Sequence, residues 1–257
     1  MTLVSRTVVS MLAAVALTFG AAVGASAAPA EPAATKPSVS FTLVSSKRQA
    51  GQSFKVRYST KNVRSGYKVE LQRTFGTSGT FKKIASLKAN TSTTATSTTP
   101  GMGKYRVRVV VKSKSGTVVA KTASKTLYSF EWVSLAELTN RKTSTVDING
   151  SLFRYAFHTY YTDYTRVVAL DRSTCRRVSL QAVNTDHEGV TGALQVVQER
   201  RDPVTVALPQ NVIQSTATSL NLGAAVQINV KTGDPIGSYA DAYVNGKLEC
   251  WSADGER

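Results

Sequence analysis

Residues 104–114, KYRVRVVVKSK, alternate apolar and cationic side chains almost without a break. Tyr105, Val107, Val109 and Val111 fall on one side of an extended chain, and Lys104, Arg106, Arg108, Lys112 and Lys114 fall on the other. A helix would scatter these residues around its axis. A period of two sorts them into a buried face and a wet one, so the segment predicts a half-buried β-strand. The pattern returns in residues 54–61, FKVRYSTK, where Phe54, Val56 and Tyr58 alternate with Lys55 and Arg57. Strands of this kind need an apolar partner layer, which points to sheet packed on sheet.

The rest of 38–128 keeps the same rhythm. Val39-Phe41-Leu43, Tyr67-Val69-Leu71, Phe81-Ile84-Leu87, the Thr/Ser-rich 91–98 and the segment 117–127 join the two strands above, giving seven in all. Gly51, Gly66, Gly76, Gly79, Pro100-Gly101 and Gly116 punctuate them. Short strands at such spacing predict a β-sandwich. Threonine is a good strand former, so 91–98 reads as an edge strand. In its strand rhythm the segment resembles the immunoglobulin-like and fibronectin-type modules of exported bacterial proteins, without the Cys–Trp–Cys pattern of antibody domains.

Residues 129–144 show no clean alternation and read as a connector, with a short helix at 135–138. Beyond it, strands are expected at 144–148, 152–158, 165–170, 175–183, 193–199, 204–207, 225–230 and 240–244. Eight short strands with long connections suggest a jelly roll over 145–257. The succession STVDING, YAFHTYY, YTRVVALD, CRRVSLQAVNTDHEG, GALQVVQE, AVQINVKTG and SYADAYVNGKLEC resembles the NPCBM-type carbohydrate-binding modules of the galactose-binding-like group. It departs from them at 157–161, FHTYY, where those modules carry a glycine- and histidine-rich segment. The resemblance implies a glycan as a candidate ligand of this half. The expected fold is therefore all-β, an N-terminal immunoglobulin-like β-sandwich followed by a C-terminal jelly-roll β-sandwich.

Near its start the chain has Arg6, an apolar run at 8–23 and the small-residue sequence Ala25-Ser26-Ala27, the pattern of a secretory signal peptide over 1–28, removable after about Ala27 or Ala28, with a retained membrane anchor as the alternative. A Pro/Ala-rich linker, 29–37, follows. No transmembrane segment is expected after processing, and the protein is expected to be secreted, extracellular or cell-wall associated. In an exported chain the two cysteines, Cys175 and Cys250, predict one disulfide. Two cysteines without a second pair make a poor zinc site.

Charge is the main functional clue. Residues 38–128 hold eighteen Lys and Arg against a single acid, Glu70, whereas 129–257 hold twelve bases and fourteen acids. A field so one-sided attracts polyanions. Lys55, Arg57, Lys104, Arg106, Arg108, Lys112 and Lys114 are the candidate polyanion-binding residues. Given the export signal, an anionic cell-wall polymer or polysaccharide ranks first among partners, ahead of lipid headgroups. Nucleic acid ranks lower but stays open, because Phe54, Tyr58 and Tyr105 alternate inward and leave only Phe75 and Phe81 as an exposed stacking pair.

Amphipathic rings suited to a sugar are His158, Tyr160, Tyr161, Tyr164 and Trp251. Tyr160 and Tyr161 are adjacent, so on a strand only one could face a ligand. No catalytic signature such as HExxH or GxSxG occurs. Asp186-His187-Glu188 reads first as a solvated turn, with calcium at Asp186 and Glu188 as the next alternative, catalysis behind it, and no other cofactor expected. Glu199 with Asp202, and Glu249 with Asp254, read as surface partners of Arg200 and Arg201 rather than a glycosidase dyad. The sequence thus points to a non-enzymatic binding protein. Its rivals are a structural spacer without a ligand and a hydrolase with an unfamiliar site.

Overall fold

A computed structural model describes residues 35–161, 163–170, 173–185, 191–233 and 241–252. The expected signal peptide, most of the linker, and Asp186, His187 and Glu188 lie outside the described residues.

The first half contributes β1 (Ser38–Leu43), β2 (Lys47–Gln49), β3 (Ser53–Lys61), β4 (Lys68–Phe75), β5 (Lys82–Leu87), β6 (Ser92–Thr98), β7 (Gly103–Lys112), β8 (Val118–Lys121) and β9 (Lys125–Ser134). After α1 (Leu135–Leu138) come β10 (Ser144–Ile148), β11 (Ser151–Tyr155), β12 (Phe157–Thr159), β13 (Thr165–Leu170) and β14 (Cys175–Asn184). The second half closes with β15 (Gly192–Gln198), β16 (Val204–Leu208), β17 (Gln214–Ser219), β18 (Val226–Lys231) and β19 (Ala242–Cys250). The protein is all-β, built as stacked sheets whose strand pairs are antiparallel apart from β2 on β9.

A ten-stranded sheet forms the spine, in the order β17-β14-β19-β9-β7-β4-β5, with β12 on β19, β2 on β9 and β8 on β7. Strand β9 joins the two halves. Its start pairs with β7, from Gly103↔Ser129 to Val107↔Lys125. Its end pairs with β19, from Lys247↔Ser134 to Cys250↔Glu131. Residues 129–134, expected to be connector, are therefore strand. Side chains one apart on a strand face opposite ways, so Leu127 and Val133 share one side of β9. Leu127 enters a core with Phe54, Val56, Tyr58, Leu71, Val107 and Val109. Val133 enters a second core with Val178, Leu180, Leu194, Ile228, Val244 and Leu248. Two smaller sheets supply the covering layers. These are β1-β3-β6 over the first core and β13-β18-β15-β16 over the second.

Among the described residues, no sheet other than the β10-β11 hairpin lies over the other, open side of the spine. Ile148 and Phe153 pack there against Val183. The Asn149-Gly150 turn that makes this hairpin has both residues at positive φ, 52° and 82°, and Asp147 accepts a hydrogen bond from the Gly150 amide at 2.6 Å. Ser134 caps α1, its hydroxyl accepting from the Glu137 amide at 3.1 Å.

Other differences from expectation are local. Segment 117–127 divides into β8 and the start of β9, and 152–158 divides into β11 and β12. Strand β17, QSTATS, is additional to the expected set; it has no large apolar residue and takes its place by pairing with β14 from Arg177↔Ser219 to Ala182↔Gln214. Strand β6 pairs with β3 alone and is an edge strand, as its threonines suggested.

Candidate functional site

The seven expected cations do not form one surface. Lys55 and Arg57 project from the exposed side of β3, the outer face of the three-stranded sheet. Arg106, Arg108 and Lys112 stand on the open side of β7, across the sandwich from that pair. Lys114 is exposed beyond the end of β7 and lies beside Gly66. Lys104 turns to the junction of the halves, its Nζ 6.0 Å from the Tyr128 ring centroid and 5.5 Å from that of Trp251.

On the open side the cations are held in a ladder. Lys112 pairs with Glu70 at 2.9 Å, Gln72 donates to Glu70 at 2.9 Å, and Arg108 donates to the Gln72 amide oxygen at 3.0 and 3.1 Å. The Arg108 guanidinium lies 3.8 Å from the Phe81 centroid, and Arg106 reaches the same ring at 5.5 Å. Phe81 is thus a shelf for two arginines, and Phe75 packs edge-on against Tyr105 at 5.3 Å. Burial pushes the Glu70 carboxyl up, but the bonds from Lys112 and Gln72 outweigh it and hold the group below its ordinary range. The one acid of the first half is therefore already engaged.

The expected sugar contacts also separate. His158 bonds Asp241 at 2.8 Å through Nε2 and stacks on Tyr243 at 5.0 Å, with Tyr155 against Tyr243 at 4.7 Å. Burial first, then the neighbouring Asp241 carboxylate, push the Tyr243 hydroxyl up to about 12. Strand β12 ends at Thr159, so Tyr160 and Tyr161 escape strand alternation. Both are exposed, at 59% and 55%, with rings 4.5 Å apart and hydroxyls 3.2 Å apart, so the strand alternation that would let only one of them face a ligand does not apply. Tyr164 sits under Lys231 at 5.2 Å. Trp251 lies apart from all of these, 5.6 Å from Tyr128.

Cys175 and Cys250 form the expected disulfide, directly opposite one another on β14 and β19. Next to it β14 carries an extra residue, since Cys175 pairs with Cys250 and Arg177 with Glu249. This bulge turns Arg176 and Arg177 to the same side. Arg176 grips both oxygens of Glu249 at 2.7 and 2.9 Å, and Arg177 adds a bond at 2.6 Å. Glu249 is 0% exposed, which corrects its reading as a surface partner of Arg200 or Arg201. Glu199 does meet Arg200, at 3.4 Å. Burial raises the Glu249 carboxyl, and the two arginines more than reverse that, leaving it lowered.

Trp132, placed in the connector by its sequence context, stands on the open side of β9 between two cations. The Arg177 guanidinium is 5.4 Å from the indole centroid and the Lys247 ammonium 5.1 Å. It walls a groove of about 590 Å³ shared with Ser134, Arg154, Gln181, Asn245 and Lys247. Gly246 lines the same groove at φ 155°, and a Cβ there would collide with the Ser179 carbonyl oxygen. Among the described residues no helix is long and apolar enough to cross a membrane.

No family model matches the chain. No curated protein matches it in sequence. Among solved structures, the secreted serine protease VesC from Vibrio cholerae is 9% identical, with 86% of this chain and 52% of that one covered and a TM-score of 0.31. Tripeptidyl peptidase 2 is 8% identical over 84% of this chain and 20% of its own, at a TM-score of 0.28. The exo-β-1,3-galactanase of Phanerochaete chrysosporium is 10% identical over 82% and 56%, at 0.25.

Proposed function

We propose that this chain is a secreted, non-enzymatic binding protein that attaches to an anionic cell-wall polymer or polysaccharide through the cation-bearing open side of its long sheet. The observation that carries the reading is the charge balance of the first half. Eighteen bases face one acid, and that acid, Glu70, is already bonded to Lys112 and Gln72. Arg106 and Arg108 stand beside it, held by Phe81 and Gln72 in fixed orientation, so little side-chain freedom is lost when a polymer arrives. Of the two sandwich faces the open side is preferred, because there the cations line up along one strand and continue towards Trp132 and Lys247 on the same sheet. Attraction of this kind weakens steeply as salt rises. The full chain, passed over immobilised dextran sulfate in a salt series, is expected to bind at low salt and elute as salt increases. Absence of retention, or retention indifferent to salt, overturns the reading.

A further inference from the structure

We infer that the groove walled by Trp132 is a subsite for a carboxylate-bearing sugar unit, resting on the polymer-binding reading above. Three features converge there. An indole offers an apolar surface for the C–H face of a sugar ring. Gln181, Asn245 and Ser134 supply amide and hydroxyl groups suited to ring hydroxyls. Lys247 and Arg154 supply the cations, and the groove, at about 590 Å³, is of a size that holds small ligands.

Charge selects the acidic sugar over the neutral one. The second half has more acids than bases, fourteen to twelve, yet no acid lines this groove among the described residues. Glu249, opposite Trp132 on the neighbouring strand, is sealed under Arg176 and Arg177. Lys247 is exposed and in contact with Trp132, an attraction worth only about 1 kcal/mol at such a site, so its ammonium can swing onto a bound carboxylate. Arg154 is exposed and held by Thr143 at 2.7 and 3.0 Å, which leaves part of its planar fork for the ligand. The ring cluster at His158 is the weaker candidate, because the Asp241 carboxylate in its midst repels an anion.

Trp132 and Trp251 are the two tryptophans of the chain, so a Trp251→Phe background makes Trp132 the sole indole reporter. In that background the full chain is titrated with an oligomer of galacturonic acid, with its neutral methyl ester, and with polyphosphate, while Trp132 emission is followed. The acid oligomer is expected to shift the emission and the methyl ester to bind about tenfold more weakly. Adding Lys247→Gln with Arg154→Gln, both at exposed positions, is expected to cost about tenfold in affinity for the acid oligomer with thermal stability unchanged. Emission unmoved by the oligomer while dextran sulfate still retains the protein overturns the subsite and leaves the polymer reading standing. Loss of both overturns both. Polyphosphate acting as strongly as the oligomer, with the double variant indifferent, also overturns the subsite, because charge alone would then account for binding.

Discussion

Arg176 and Arg177, neighbours on one strand, point to the same side and hold the same carboxylate, that of Glu249. Only the extra residue in β14 permits this, since successive side chains otherwise alternate. The cluster ties β14 to β19 beside the disulfide and extends to both aromatic neighbours on β9. The Arg176 guanidinium lies 4.5 Å from the Phe130 centroid, and that of Arg177 5.4 Å from Trp132.

Glu249→Ala is expected to destabilise the fold by about 3 kcal/mol, measured by urea unfolding. The variant leaves two guanidinium groups facing one another without their shared anion. Arg177 is half exposed, which keeps the loss at the low end for a broken buried pair. A loss below about 1 kcal/mol would mean that the cluster contributes no more than a surface pair.

Acid should unfold the protein in a defined window. Glu70 and Glu249 both have folded-state carboxyls below their ordinary value of 4.5. A group lowered on folding contributes stability that is present above its unfolded value and lost as pH falls towards its folded one. Thermal midpoints should therefore hold as pH drops towards the ordinary carboxylate range and fall below it. In Glu249→Gln the fall should be shallower, although the starting stability is lower.

Replacing both Cys175 and Cys250 by Ala is expected to cost about 4 kcal/mol, because the bond closes a loop of 75 residues. Reducing agent should lower the unfolding midpoint of the native chain and leave that of the double variant unchanged.

The legible parts of the fold were those where one side of a strand is wet. Strands β3 and β7 announced themselves because Phe54, Val56, Val107 and Val109 alternate with cations. Strand β9 hid for the opposite reason. Leu127 and Val133 enter the cores on one side, while Phe130 on the other is also buried, so both faces carry apolar residues and the alternation disappears. Strand β17 hid because Ser and Thr give no apolar period, and its position is set by the register of β14. The candidate site was legible as charge but not as place. Composition counts cations without saying that a sandwich divides them between two outer faces. Trp132 carries no signal of its own in the sequence, because its neighbours on the open side, Lys247 and Arg177, are far away along the chain.

That division gives a fourth expectation. Arg106→Gln with Arg108→Gln should lower the salt needed to elute the protein from dextran sulfate more than Lys55→Gln with Arg57→Gln does, although each pair removes two charges. The first pair lies on the open side with the Trp132 groove, the second on the opposite face. Equal shifts from the two pairs would assign retention to net charge rather than to one face.

Gly246→Ala is expected to destabilise by about 2 kcal/mol, since the new methyl meets backbone of β14 that has no room to yield. Unfolding in urea measures it.

Because one unbroken strand serves both halves, they cannot swing on a hinge without tearing β9 from a neighbour. Thr126, opposite Arg106, and Trp132 are six residues apart on it, or about 20 Å at strand rise. A long polymer lying along this protein would thus meet a rigid ruler, with charge at one mark and the indole at another, and chains whose acidic groups fall in step with that interval would be held in preference to those that do not.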